Sequence, residues 1–122
     1  MQHNWFNAFH HCRSLGMHLV SITSQDQNDI IVKQIKDDGY EDRVFWTSGN
    51  GNDYQWMGNG KHVKYTNWTP GQPDNILDRN EHEQCIQITG KGTGQNDRED
   101  LKWNDRICSY NFNFICEQDI IE

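Results

Sequence analysis

The sequence predicts an α+β fold from three observations. Two capped helical patterns occupy the first third of the chain, short strands separated by Gly and Asn follow, and four Cys are spread through a strongly polar sequence. Helices gathered ahead of strands, not alternating with them, favour segregated layers over a parallel doubly wound sheet.

The elements follow in order. Asn4 can cap a helix that runs to about Leu15, where Gly16 is placed to end it. Ser24 with Gln27 forms a capping-box pattern for a second helix. That helix carries Ile31 and Ile35 on one face and stops at Gly39. Val44–Thr47 reads as an apolar, aromatic strand. Short strands are expected at Gln55–Met57, Val63–Tyr65, Cys85–Ile88 and Phe112–Cys116, with Asn59-Gly60 as a hairpin turn between the first two. The segment from Thr66 to Gln84 has little regular pattern, and a loop that long inside a compact domain is usually functional. Gly90 to Asp100 reads as an exposed, mobile insertion.

At 122 residues the chain is expected to form one domain spanning 1–122. Only 34% of it is hydrophobic and its mean hydropathy is −0.99, so the aromatic residues must supply much of the core. Trp46, Trp56 and Trp68 sit in strand-like surroundings and are expected to pack inside. A net charge of −7 argues against a nucleic-acid binder. No stretch approaches a membrane span, and Met1–Trp5 is no apolar leader. Four Cys in so polar a domain indicate two disulfides and an oxidising, extracellular setting, with three pairings open to the sequence alone. No Cys pair has zinc-finger spacing.

The chemistry lies in three oxygen-rich stretches: Gln72-Pro73-Asp74, Glu83 two residues before Cys85, and Asn104-Asp105 after Trp103. A hard cation such as Ca2+ takes about six to eight oxygens from carboxylates and carbonyls. The carboxylates of Asp74, Glu83 and Asp105 and the amides of Gln72 and Asn104 meet part of that demand and leave part of the shell open. A cation so held can accept hydroxyls from a sugar. Taken alone, Gln72-Pro73-Asp74 would be an ordinary turn; the other two stretches make the metal-ligand interpretation the better one.

These stretches, in this order, resemble the C-type lectin domain family, and the resemblance covers nearly the whole chain. Asn4-Trp5-Phe6-Asn7-Ala8-Phe9-His10-His11-Cys12 resembles the family's first helix, Leu19-Val20-Ser21-Ile22 resembles the strand after it, and Phe45-Trp46-Thr47-Ser48-Gly49 stands where its Trp-Ile-Gly-Leu core strand runs. Asn67-Trp68-Thr69-Pro70-Gly71-Gln72-Pro73-Asp74-Asn75 is similar to its sugar-loop entry, and Phe114-Ile115-Cys116-Glu117 to its closing strand. The Phe-Trp-Thr-Ser-Gly variant looks most like secreted arthropod lectins.

The resemblance implies a C-type lectin-like fold of two helices, short antiparallel sheets and a long calcium- and sugar-binding loop. It implies the disulfides Cys12–Cys116 and Cys85–Cys108, and a cis peptide at Pro73 that turns Gln72 and Asp74 towards the ion. It also implies a strand before the first helix, for which this chain leaves little room, so part of the N terminus is expected to be missing. Gln-Pro-Asp is associated with galactose-type diols, so the expected ligands are galactose or N-acetylgalactosamine on glycoproteins or microbial surfaces. Galactose binders of the family place an aromatic just after the motif, where this chain has Asn75, Ile76 and Leu77; Ile76 is the residue expected beside the sugar. Asn75 and Gln84 stand where relatives with a second calcium ion place acids, and the Gly49–Asp53 loop is short, so one ion is expected. Linking several shallow sites requires a homo-oligomer or flanking sequence.

Two other functions compete. A lectin-like module could bind a protein or surface partner with calcium structural or absent, and Asp74 with Glu83 could form a glycosidase pair. The neighbouring amides argue against the second, because they suit two ionised ligands. His3, His10, His11 and His18 raise a zinc hypothesis. On a helix His3 and His10 would lie about 10 Å apart, as would His11 and His18, too far for one ion. A solvated histidine-rich surface is the expectation. His82 near the sugar loop is expected to be an ordinary surface residue. Asn67-Trp68-Thr69 is formally a glycosylation sequon, but Pro70 follows it and Trp68 is expected inside.

Overall fold

Both helices start and stop where their caps predict. In the computed structural model, residues 2–51, 54–73, 84–90 and 101–118 are described in full, and 77–78 and 81–82 by their backbone. Helix α1 spans Trp5–Ser14, with Asn4 Oδ1 accepting from the Asn7 amide at 2.8 Å. It closes in a Schellman motif: Gly16, at φ 72, donates to Arg13 O, and Met17 donates to Cys12 O. Helix α2 spans Gln25–Asp37, and Ser24 Oγ accepts from the Gln27 amide. The Gln27 side chain reaches back one residue further than a capping box requires, to the Thr23 amide at 2.8 Å. Its inward face is Asn28, Ile31, Val32 and Ile35, of which Asn28 and Ile35 are buried.

The strands are β1 His18–Leu19, β2 Val44–Asn50, β3 Gln55–Trp56, β4 Leu77–Asp78, β5 Glu81–His82, β6 Cys85–Thr89, β7 Lys102–Arg106, β8 Asn113–Phe114 and β9 Cys116–Glu117. In the main sheet β2 pairs with β6 and β6 with β7, all antiparallel. The other edge of β2 is shared by β8, parallel at Phe45–Trp46, and β3, antiparallel at Gly49–Asn50. A separate ladder joins β1 to β9, and a short hairpin joins β4 to β5.

Four expectations are revised. The strand over Leu19–Ile22 narrows to β1, because Val20 is tied crosswise: its amide donates to Ile115 O and its carbonyl accepts from Ser48. Val63–Tyr65 forms no strand; the Val63 amide turns to Tyr54 O, and a single bridge joins Gln55 to His62. Phe112–Cys116 divides at Ile115, because its two halves serve different sheets. Strand β7 was not expected, since Lys-Trp-Asn-Asp-Arg is too polar to read as a strand until β6 pairs with it.

The sheet alternates between two cores. Phe45, Ile86, Ile88 and Trp103 join Ile35 of α2, whereas Trp46 and Cys85 join Trp5, Ala8 and Cys12 of α1. The helices thus cover opposite faces. Trp46 and Trp56 are wholly buried and Trp68 is partly so, in line with their expected packing. The disulfides are Cys12–Cys116, fastening α1 to β9, and Cys85–Cys108, joining β6 to the turn after β7. No helix among the described residues is long and apolar enough to cross a membrane.

Candidate calcium and sugar site

The site is organised on Trp103. This ring is wholly buried, donates from Nε1 to Asn28 Oδ1 at 3.2 Å, and meets Trp56, Tyr65 and Trp68 edge-on. Its backbone is held equally firmly: the Trp103 amide donates to Asn67 O and its carbonyl accepts from Thr69, both at 2.8 Å. The entry of the long loop is therefore pinned to β7 one residue before Asn104.

Thr69-Pro70-Gly71-Gln72 then turns back. The Gln72 amide donates to Thr69 O at 2.9 Å and Gly71 has φ 91. Pro followed by a positive-φ Gly is the signature of a type II turn. The turn is closed on Thr69, the residue bonded to Trp103, and the Gln72–Pro73 peptide is cis. Gln72 Oε1 is buried.

Two ligand candidates stand on β7. Asp105 is wholly buried, and its Oδ2 accepts from the Tyr54 hydroxyl at 2.8 Å. Asn104 lies opposite Gln87 in the β6–β7 register. Asn104 Oδ1 and Gln87 Oε1 are both buried, and neither has a hydrogen-bond partner among the described residues. A buried acceptor left unsatisfied costs about 1–3 kcal/mol. Buried oxygens that accept and cannot donate, on paired strands that also carry a buried carboxylate, are chemically suited to a hard cation or its water.

Asp74, Ile76 and Glu83 lie outside the described residues, so of the expected ligands the structure places Gln72, Asn104 and Asp105. Asn75, residues 52–53 and residues 91–100 also lie outside them. The expected solvated histidine surface is only partly present. His10 is exposed, but His18 is 8% exposed, with Nδ1 3.6 Å from Glu117. His3 precedes the Asn4 cap, off the helix, so it packs against His11 at 5.9 Å between ring centroids, with Phe114 beside both. Helical spacing could not reveal that pair. Tyr54 was also missed, since its contact with Asp105 spans 51 positions and leaves no periodic trace.

Comparison with known proteins now bears on this arrangement. The Lectin C-type domain family model matches residues 1–118. The chain belongs to the C-type lectin domain family. It is 34% identical to C-type lectin 37Da of Drosophila melanogaster, over 93% of this chain and 62% of that protein. It is 28% identical to lectin subunit alpha of Sarcophaga peregrina, over 96% of this chain and 41% of that one. The chain thus spans less than two thirds of either fly relative. Among solved structures, the human scavenger receptor C-type lectin carbohydrate-recognition domain superposes with a TM-score of 0.79 at 27% identity, covering 98% of this chain and 85% of that one.

C-type lectin domains are a carbohydrate-binding, non-enzymatic family, which disposes of the glycosidase alternative. In this C-type lectin domain the disulfides pair as the resemblance implied. Strand β7 carries Asn104 and Asp105, and the loop bearing Gln72 is bonded directly to that strand.

Proposed function

We propose that this domain is a calcium-dependent lectin for galactose-type glycans, secreted and acting on glycoproteins or microbial surfaces in innate immune recognition. The observation that carries the calcium part is Asn104 Oδ1, buried and without a hydrogen-bond partner among the described residues, on the same strand as the buried Asp105. Gln72, Asp74, Glu83, Asn104 and Asp105 would hold one ion. Bound calcium would offset the mutual repulsion of the three carboxylates and present open coordination positions to two sugar hydroxyls. The amide NH2 groups of Gln72 and Asn104 donate to those hydroxyls, and carboxylate oxygens accept from them. Trp103 and the Thr69–Gln72 turn keep the two ligand-bearing segments in register. Two disulfides support an extracellular location.

The test is glycan-array binding in calcium and then in EDTA, with calorimetry for stoichiometry. Galactose or N-acetylgalactosamine retention that EDTA abolishes, one calcium per chain, and loss of both in Asp105→Ala are the expected results. Calcium-independent glycan binding, or calcium uptake unaffected by Asp105→Ala, would refute the proposal.

A further inference from the structure

We propose that Tyr54 is a positioning residue for this site: its phenol sets the Asp105 carboxylate in the orientation that a bound cation uses. The inference rests on the calcium function proposed above. It starts from the 2.8 Å hydrogen bond between Tyr54 Oη and Asp105 Oδ2, made to a carboxylate with no solvent exposure. A carboxylate has about four lone-pair positions. A donor fixed on one oxygen restricts rotation of the group and so decides which positions face an incoming ion. Outer-shell partners of this kind orient metal ligands.

The backbone supplies a second, independent observation. Tyr54 has φ 44, a left-handed conformation uncommon for a bulky side chain. Gly or Asn would adopt it with less strain, yet neither could reach Asp105 with a hydroxyl. The conformation is held from both sides, by the Tyr54 amide donating to Gly51 O and the Val63 amide donating to Tyr54 O, each at 3.1 Å. Strain of this kind persists where surrounding contacts over-determine it, and it concentrates at functional sites. The ring lies 5.5 Å from Trp68, which bridges to Trp103. Tyr54 therefore braces both the strand carrying Asp105 and the segment leading to Gln72.

Tyr54→Phe removes the hydroxyl and keeps the ring against Trp68. Calcium titration should show affinity falling by about 10-fold or more, with glycan binding recovered when calcium is raised to saturation. If Tyr54→Phe is too unstable without metal, the calcium concentration that restores its folding reads the same loss. A Tyr54→Phe protein that melts lower in EDTA but binds calcium as tightly as the parent would overturn the inference and leave the calcium function standing. A parent chain that binds no calcium would overturn both.

Discussion

Replacing Asn104 by Leu should change stability in opposite directions with and without calcium. The two side chains have similar size, so the substitution removes an amide without opening a cavity. Asn104 Oδ1 is buried with no donor among the described residues. Relieving an unsatisfied buried acceptor recovers up to about 1–3 kcal/mol. For 122 residues, 1 kcal/mol corresponds to roughly 4 °C in Tm. Asn104→Leu in EDTA should therefore melt at or above the parent, by up to several degrees. Calcium at a hundred times its Kd stabilises the parent by about 2.7 kcal/mol, or roughly 10 °C. The variant lacks one ligand oxygen and should keep only a small part of that rise, so wherever its gain in EDTA is under about 2.7 kcal/mol it melts below the parent in calcium. Thermal unfolding of both proteins in EDTA and in saturating calcium measures all four values. An equal drop in both conditions would mean that Asn104 acts through packing alone. An undiminished calcium shift would remove it from the ligand set.

Gln72→Glu combined with Asp74→Asn exchanges acid and amide positions while keeping the charge count, and should move glycan preference from galactose to mannose with calcium affinity retained; a double variant that still prefers galactose would show that the motif does not select the sugar. Ile76→Trp should tighten galactose binding by roughly 0.5–1.5 kcal/mol, about two- to tenfold, if an apolar sugar face lies against that position; unchanged affinity in frontal chromatography would place Ile76 away from the sugar. Replacing Cys85 and Cys108 by Ser opens a bridge between residues 23 apart and should cost about 3 kcal/mol, roughly 12 °C in Tm. The same change should weaken calcium binding, because Cys85 pairs with Arg106, the residue after Asp105; a large loss of Tm with unchanged calcium affinity would separate the bridge from the site.

Local chemistry was legible where a feature is complete within a few residues. Asn4 and Ser24 accept the cap hydrogen bonds assigned to them, and Gly16 and Gly39 end their helices with positive φ. The Thr69–Gln72 turn was not anticipated, although its Pro70 and positive-φ Gly71 are local features. Strand β7 was not legible, because its pattern of buried Trp103 and Asp105 with Asn104 between them makes sense only once β6 supplies the hydrogen bonds and α2 supplies Asn28. The division of residues 112–116 between two sheets was hidden for the same reason.

By itself, the sequence determined the fold class, the helix limits, the family and the residue types suited to a hard cation, since caps, turns and donor chemistry depend on near neighbours. Only the tertiary structure decided which segments meet: Asn67 and Thr69 bonded to Trp103, Gln87 across from Asn104, Tyr54 reaching Asp105, and His3 against His11. Each of these contacts joins residues remote in sequence or lying on different elements. Their proximity is set by strand register and core packing, which no local pattern encodes.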